Sequence, residues 1–139
     1  IAMIKVIYGK RGSGKTKRII SLAKAEAAAC KGHVVFLEKD NRCMLDLPHE
    51  IRYVNAGEYS IKDPDVFYGF VSGMLAANFD IVDVFIDALP SIIGLTADVE
   101  LENFFNKMKN LSEQMQVNMI MSISAGDGAP PAFLEPYII

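Results

Sequence analysis

From Gly9 to Thr16 the chain reads Gly-Lys-Arg-Gly-Ser-Gly-Lys-Thr, a spacing of glycines, lysine and hydroxyl suited to holding phosphate groups. Glycines at 9, 12 and 14 let the backbone fold tightly and turn its N–H groups toward an anion. A helix beginning near Lys15 would add its unpaired N–H groups and the positive end of its dipole. Lys15 has the length to reach β- and γ-phosphates, and Thr16 offers a hydroxyl to Mg²⁺. By chance the pattern should arise in roughly one in a few hundred chains of this length, and the need for a strand before it and a helix after it cuts that further. Gly9, Lys10, Arg11, Gly12, Ser13, Gly14, Lys15 and Thr16 are therefore expected to bind ATP or GTP.

Such a loop needs a second acid, at the end of a neighbouring strand, to hold the Mg²⁺ shell. Asp87 fits, because it ends the apolar run Val84-Phe85-Ile86. Asp83 begins that run and is expected to be solvated, while Asp80 lies in the turn before it. The residue after Asp87 is Ala88, which cannot activate water. A base must then come from elsewhere along the carboxyl edge of the sheet, where ligands bind in open α/β folds. Glu38 is the first choice and Asp40 the second. Ser122 and Ser124 end a later strand and could touch a γ-phosphate, with Ser124 preferred. Arg18, Arg42 and Arg52 are candidates for an arginine finger offered to a neighbouring subunit, and none is clearly placed to neutralise a transition state within its own chain.

Strand and helix signals alternate along the chain to position these groups. Ile4 to Tyr8 is a short β-branched run ended by Gly9. Lys15 to about Lys31 is rich in good helix formers, with Gly32 placed where a left-handed cap is expected. His33 to Leu37 reads as a second strand and Ile51 to Val54 as a weaker third. Asp63-Pro64 opens a helix with an N-cap and a proline at its first position. Ile81 to Ile86 is the next strand. Thr96 caps a long amphipathic helix whose stripe includes Leu101, Phe104, Phe105, Met108 and Leu111. Val117 to Ser124 is the last strong strand, followed by a Gly/Pro-rich loop from Ala125 to Pro131. The alternation predicts an α/β domain: a mostly parallel five-stranded sheet with helices on both faces.

Composition removes several alternatives. The 139 residues fit one domain, 51% hydrophobic and carrying a net charge of −3. No Lys/Arg run exceeds two, which argues against direct nucleic-acid binding. No apolar run reaches the roughly 18 residues of a membrane span. Met3 reads as the natural start, with Ile1 and Ala2 as a remnant of expression. The N-terminus runs straight into a strand rather than a signal peptide, so a cytoplasmic protein is expected. Cys30 and Cys43 match no zinc spacing and are expected to be reduced thiols. His33 and His49 stand alone.

The order of these features resembles the RecA-like core of P-loop NTPases. The phosphate loop comes first, then a strand ending in an acid (Phe36-Leu37-Glu38), and later Val82-Asp83-Val84-Phe85-Ile86-Asp87. That resemblance implies a three-layer fold, and it implies a catalytic role for Glu38 beside Lys15. Val34 to Arg42 and Ser122-Ile123-Ser124-Ala125 also resemble a small stand-alone ATP-binding family of Firmicutes, often labelled twitching-motility ATPase. Lys39-Asp40-Asn41-Arg42 is similar to a segment of type II thymidine kinases. Those enzymes carry Asp-Glu where this chain has Asp87-Ala88, and a four-cysteine zinc lasso that its two cysteines cannot make. The expectation is a Mg²⁺-dependent ATP-binding protein with slow ATPase activity, with Thr16 and Asp87 at the metal and Ser124 as γ-phosphate sensor. The alternatives are a nucleoside-type kinase and a non-hydrolysing nucleotide-dependent regulatory module. A homo-oligomer or a larger protein partner could complete the site.

Overall fold

The computed structural model describes residues 3–29, 31–95, 98–124, 126 and 128–139. The expected thiol Cys30, the expected cap Thr96, residues Ile1 and Ala2, and the loop residues Ala125 and Asp127 lie outside them. Five strands form one sheet: β1 (Ile4–Gly9), β2 (His33–Glu38), β3 (Ile51–Asn55), β4 (Ile81–Ile86) and β5 (Asn118–Ser124). Their order is β1-β5-β4-β2-β3, and every pairing is parallel. All carboxyl ends therefore lie along one edge. Four α-helices connect them: α1 (Lys15–Ala29), α2 (Pro64–Ala77), α3 (Leu89–Ile93) and α4 (Asp98–Met115).

Strand alternation sorts the apolar side chains onto two faces. Val35, Leu37, Val84, Ile86, Met119 and Met121 point one way, into a core with Phe67, Val71, Phe104 and Met108 of α2 and α4. Val34, Phe36, Phe85 and Ile120 point the other way, against Ile19 and Ala23 of α1. One face thus carries three helices and the other α1. The 3-10 turn Glu135–Tyr137 and the tail behind it close the outer side of β1. There Ile138 bridges Val6, and the Ile139 N–H donates to Val6 O at 2.9 Å. Among the described strands β3 is the edge without a partner on its outer side.

Several expectations hold in detail. Asp63 caps α2 by accepting from Val66 N–H at 3.0 Å, with Pro64 at the first helical position. Others need correction. α1 ends at Ala29, and Gly32 does not adopt a left-handed conformation. Its need for glycine is steric. A Cβ there would lie 2.4 Å from Val82 Cγ1 and 2.7 Å from the Asp80 carbonyl, the acceptor of the His33 N–H. Asp83 is not solvated: it is 2% exposed, accepts from Asn118 Nδ2 at 3.0 Å, and meets Glu26 of α1. Burial, and then Asp83, raise the Glu26 carboxyl above its usual range. The single turn α3 had no signal of its own, because Leu89-Pro90-Ser91-Ile92-Ile93 is too short to show helical periodicity.

Gly32→Ala should destabilise the fold by about 1–3 kcal/mol, the usual cost of overpacking. Urea unfolding measures it, and an unchanged midpoint would show that β4 can step aside.

Candidate functional site

The site grows from the turn between β1 and α1. Gly12 and Gly14 take φ of +82° and +85°, a region that L side chains rarely enter. The loop closes on itself through the Ser13 N–H donating to Lys10 O at 3.1 Å. Arg18 N–H then donates to Gly14 O at 3.0 Å and starts the helical ladder. The first N–H groups of α1 have no acceptors within their own helix and lie toward the loop. Lys15 Nζ donates to Lys10 O at 2.8 Å. Its pKa is lowered by desolvation; Asp87 acts in the opposite sense and Arg11 in the same one.

Asp87 follows β4 and is 1% exposed. A buried carboxylate is costly unless donors surround it. Thr16 Oγ1 donates to Asp87 Oδ2 at 3.1 Å, and Ser122 Oγ donates to Oδ1 at 2.7 Å. Ser122 in turn accepts from the Ala88 N–H at 2.7 Å. The expectation that the acid's strand adjoins the loop's strand needs correction, since β5 lies between β1 and β4. That insertion is what brings Ser122 beside Asp87. In register, Gly9 pairs with Ser124 and Met121 pairs with Ile86, so both serines reach the same edge. Ser124 is exposed and lines the cavity; Ser122 is buried and holds the acid. Two hydroxyls in the otherwise apolar Met119–Ser124 run were the signal, because a buried hydroxyl wants a partner.

Glu38 ends β2, next to Asp87 in the sheet. As the strand-ending acid it is 1% exposed. Its Oε1 accepts from the Cys43 N–H at 2.8 Å and meets the Tyr53 hydroxyl. That hydroxyl also meets the Asp40 carbonyl, and its one proton serves a single acceptor at a time. Glu38 Oε2 is buried with no hydrogen-bond partner among the described residues. Burial, and then Glu38, push the Tyr53 phenol and the Cys43 thiol well up. Asp40 is tied up differently: its Oδ1 accepts from the backbone N–H and Nε of Arg42, at 3.2 and 3.0 Å.

The loop, Asp87 and the two serines surround a cavity of about 630 Å³, lined by Gly12, Lys15, Thr16, Arg42, Asp87 and Ser124 among others; Glu38 and Asp40 do not line it. Of the three arginines considered, only Arg42 reaches it. Arg18 donates to Ile139 O at 2.8 Å, and Arg52 faces a second cavity of about 960 Å³ beside β3. The two cavities share no lining residue. Arg11 also lines the first one and was not singled out beyond its place in the loop.

Ser122→Ala removes one donor from Asp87 and the acceptor of Ala88 N–H, leaving buried groups unpaired. It should cost about 1–3 kcal/mol, read by urea unfolding; a neutral result would mean that Thr16 alone satisfies the carboxylate.

No protein-family model matches the chain, and no curated protein matches it. Among solved structures it is similar to a KaiC-like protein from the hyperthermophilic archaeon Pyrococcus horikoshii OT3. The match has a TM-score of 0.72 at 17% identity, and covers 97% of this chain and 68% of that one. At that identity the likeness carries the architecture alone. The chain shares with that structure an α/β fold with a five-stranded, all-parallel sheet flanked by helices.

Proposed function

We propose that this protein binds ATP with Mg²⁺ at the loop of residues 9–16 and hydrolyses it slowly. One observation carries the reading: the Thr16 hydroxyl meets the buried Asp87 carboxylate at 3.1 Å, at the wall of a cavity opened by a glycine loop and a helix N-terminus. Hydroxyl and carboxylate are hard oxygen donors of the kind Mg²⁺ takes, usually keeping several waters. Thr16 and Asp87 would hold that ion, and it would supply positive charge to the β- and γ-phosphates. The Lys15 ammonium, now on the Lys10 carbonyl, would turn to the phosphates. Loop N–H groups and the α1 dipole favour the same anion.

Glu38 is the candidate base. Oε1 is held by Cys43 and Tyr53, which fixes the carboxylate, while Oε2 has no donor to satisfy it. A water beside Oε2 would lose a proton to it as the phosphorus is attacked. Asp40, committed to Arg42, is the weaker choice. Arg42 is the candidate for neutralising transition-state charge within the chain. Turnover is slow in this reading because Ala88 offers no base beside Asp87 and Arg42 is partly neutralised by Asp40.

The small ATP-binding family labelled twitching-motility ATPase fits this reading as a nucleotide binder. A nucleoside-type kinase fits less well: it needs an acceptor pocket in line with the γ-phosphate, and the larger cavity does not adjoin the loop. Phosphate release measured with and without nucleosides separates the two.

Lys15→Ala should abolish ATP binding in calorimetry while leaving the circular dichroism spectrum unchanged; undiminished affinity in the folded variant would refute the loop assignment. Glu38→Gln should leave ATP affinity nearly intact and lower turnover by about 10²–10⁴-fold, the range of general-base catalysis. The wild type itself should turn over below about 10 per second. Arg42→Ala should lower kcat much more than it raises KM, because an arginine that acts on developing charge contributes little to the ground state. A raised KM with kcat unchanged would make Arg42 a binding residue only.

A further inference from the structure

Beside the candidate Mg²⁺ ligands the sheet edge gathers a chemically different set. One side-chain ligand atom each from Glu38, Cys43 and Asp87 lies within 4.8 Å of the other two. All three residues are buried. The Glu38 carboxylate has a buried oxygen, Oε2, with no hydrogen-bond partner among the described residues. An orphaned buried carboxylate oxygen is expensive, and a cation is one of the few things that removes the cost.

From this geometry we infer that Glu38, Cys43 and Asp87 form a site for a thiophilic divalent cation of the Zn²⁺ class. Sulfur decides the class: thiolate favours Zn²⁺ and Co²⁺, whereas Mg²⁺ and Ca²⁺ prefer all-oxygen shells. Zn–S and Zn–O bonds of about 2.3 and 2.1 Å place tetrahedral ligands roughly 3.5 Å apart. From within 4.8 Å of one another, the three atoms would have to close by about an ångström to reach that spacing. Cys43 cannot drift away, since its backbone N–H is tied to Glu38 Oε1 and its carbonyl accepts from Asp46 N–H at 3.0 Å. The fourth position falls to water, entering from the cavity that Asp87 lines.

Two consequences follow. Burial keeps the Cys43 thiol protonated at neutral pH, so binding expels its proton to solvent and leaves thiolate on the metal. Asp87 also serves both sets. An ion drawn toward Cys43 competes with the Thr16 hydroxyl for the same carboxylate, so the thiophilic cation should inhibit the candidate nucleotide site. This second consequence, unlike the cation site itself, rests on the nucleotide reading.

The test is a Co²⁺ titration of the full metal-free chain without nucleotide, followed by absorbance. A sulfur-to-cobalt charge-transfer band with tetrahedral ligand-field bands is expected. Cys43→Ser should abolish the band and weaken Zn²⁺ binding in calorimetry by more than about tenfold, the loss caused even by outer-sphere partners. Glu38→Gln should weaken binding to a similar extent, and Cys30→Ser should keep the band. Absence of the band in the wild-type protein, or its survival in Cys43→Ser, overturns the site without relying on any variant's stability. Unchanged Zn²⁺ affinity in Glu38→Gln overturns the ligand set. None of these readings involves ATP, so their failure is distinct from failure of the Mg²⁺·ATP proposal.

Discussion

A carboxylate with almost no contact with solvent stands at the centre of this sheet edge, and its neighbours are arranged to make it tolerable. Asp87 leaves β4 with 1% of its surface exposed, so most of its charge must be met by protein donors. Thr16 brings the first turn of α1, and Ser122 brings β5. The Ala88 N–H completes the chain through Ser122. Ala88 itself takes a left-handed conformation, φ 55°, which a β-carbon makes costly. That turn sends the chain into α3 and leaves its N–H aimed at Ser122. Three separate elements thus converge on one acid, and the glycine loop of residues 9–16 is positioned as a by-product of satisfying it.

The second buried acid obeys the same rule less completely. Glu38 lies one strand away, and its donors come from the segment after β2 and from Tyr53 of β3. One oxygen is satisfied and the other is not. Two carboxylates side by side with one free oxygen are a poor arrangement for stability alone. A water, a cation or both in turn would repair it. Chemistry at this edge and the unfinished hydrogen bonding are therefore one physical fact.

Much of this was legible in the sequence because local rules govern it. Glycine spacing, the run ending in Asp87 and the Asp63-Pro64 start each depend on a few adjacent residues. What escaped depends on residues far apart. Strand order decides that Ser122 adjoins Asp87, and nothing near Ser122 encodes that order. Asp83 looked like a solvated strand start until Asn118, Glu26 and the sheet around it were in place. Gly32 looked like a helix cap, but its requirement comes from Val82 and Asp80, about fifty residues on. Arg42 could not be told from Arg18 or Arg52 until the tail claimed one and the far cavity the other.

The distribution of charge gives the cavity a direction. The chain carries a net charge of −3, yet Arg11, Lys15, Lys17 and Arg42 all line this opening. Arg42 is 66% exposed along its side chain, whereas Asp87 and Glu38 are sealed behind the loop. An anion approaching from solvent meets cations first, where screening is strong and the attraction steers rather than holds. A free divalent cation meets repulsion at the same rim. Phosphate charge at the rim would offset that repulsion along the path to Asp87. The two acids then act in a region of lower dielectric, where each contact is worth more. Cations outside and acids inside suit the proposed entry of Mg²⁺ as a complex with its anion, whereas a bare cation reaches this edge only where a ligand such as the Cys43 sulfur rewards its arrival.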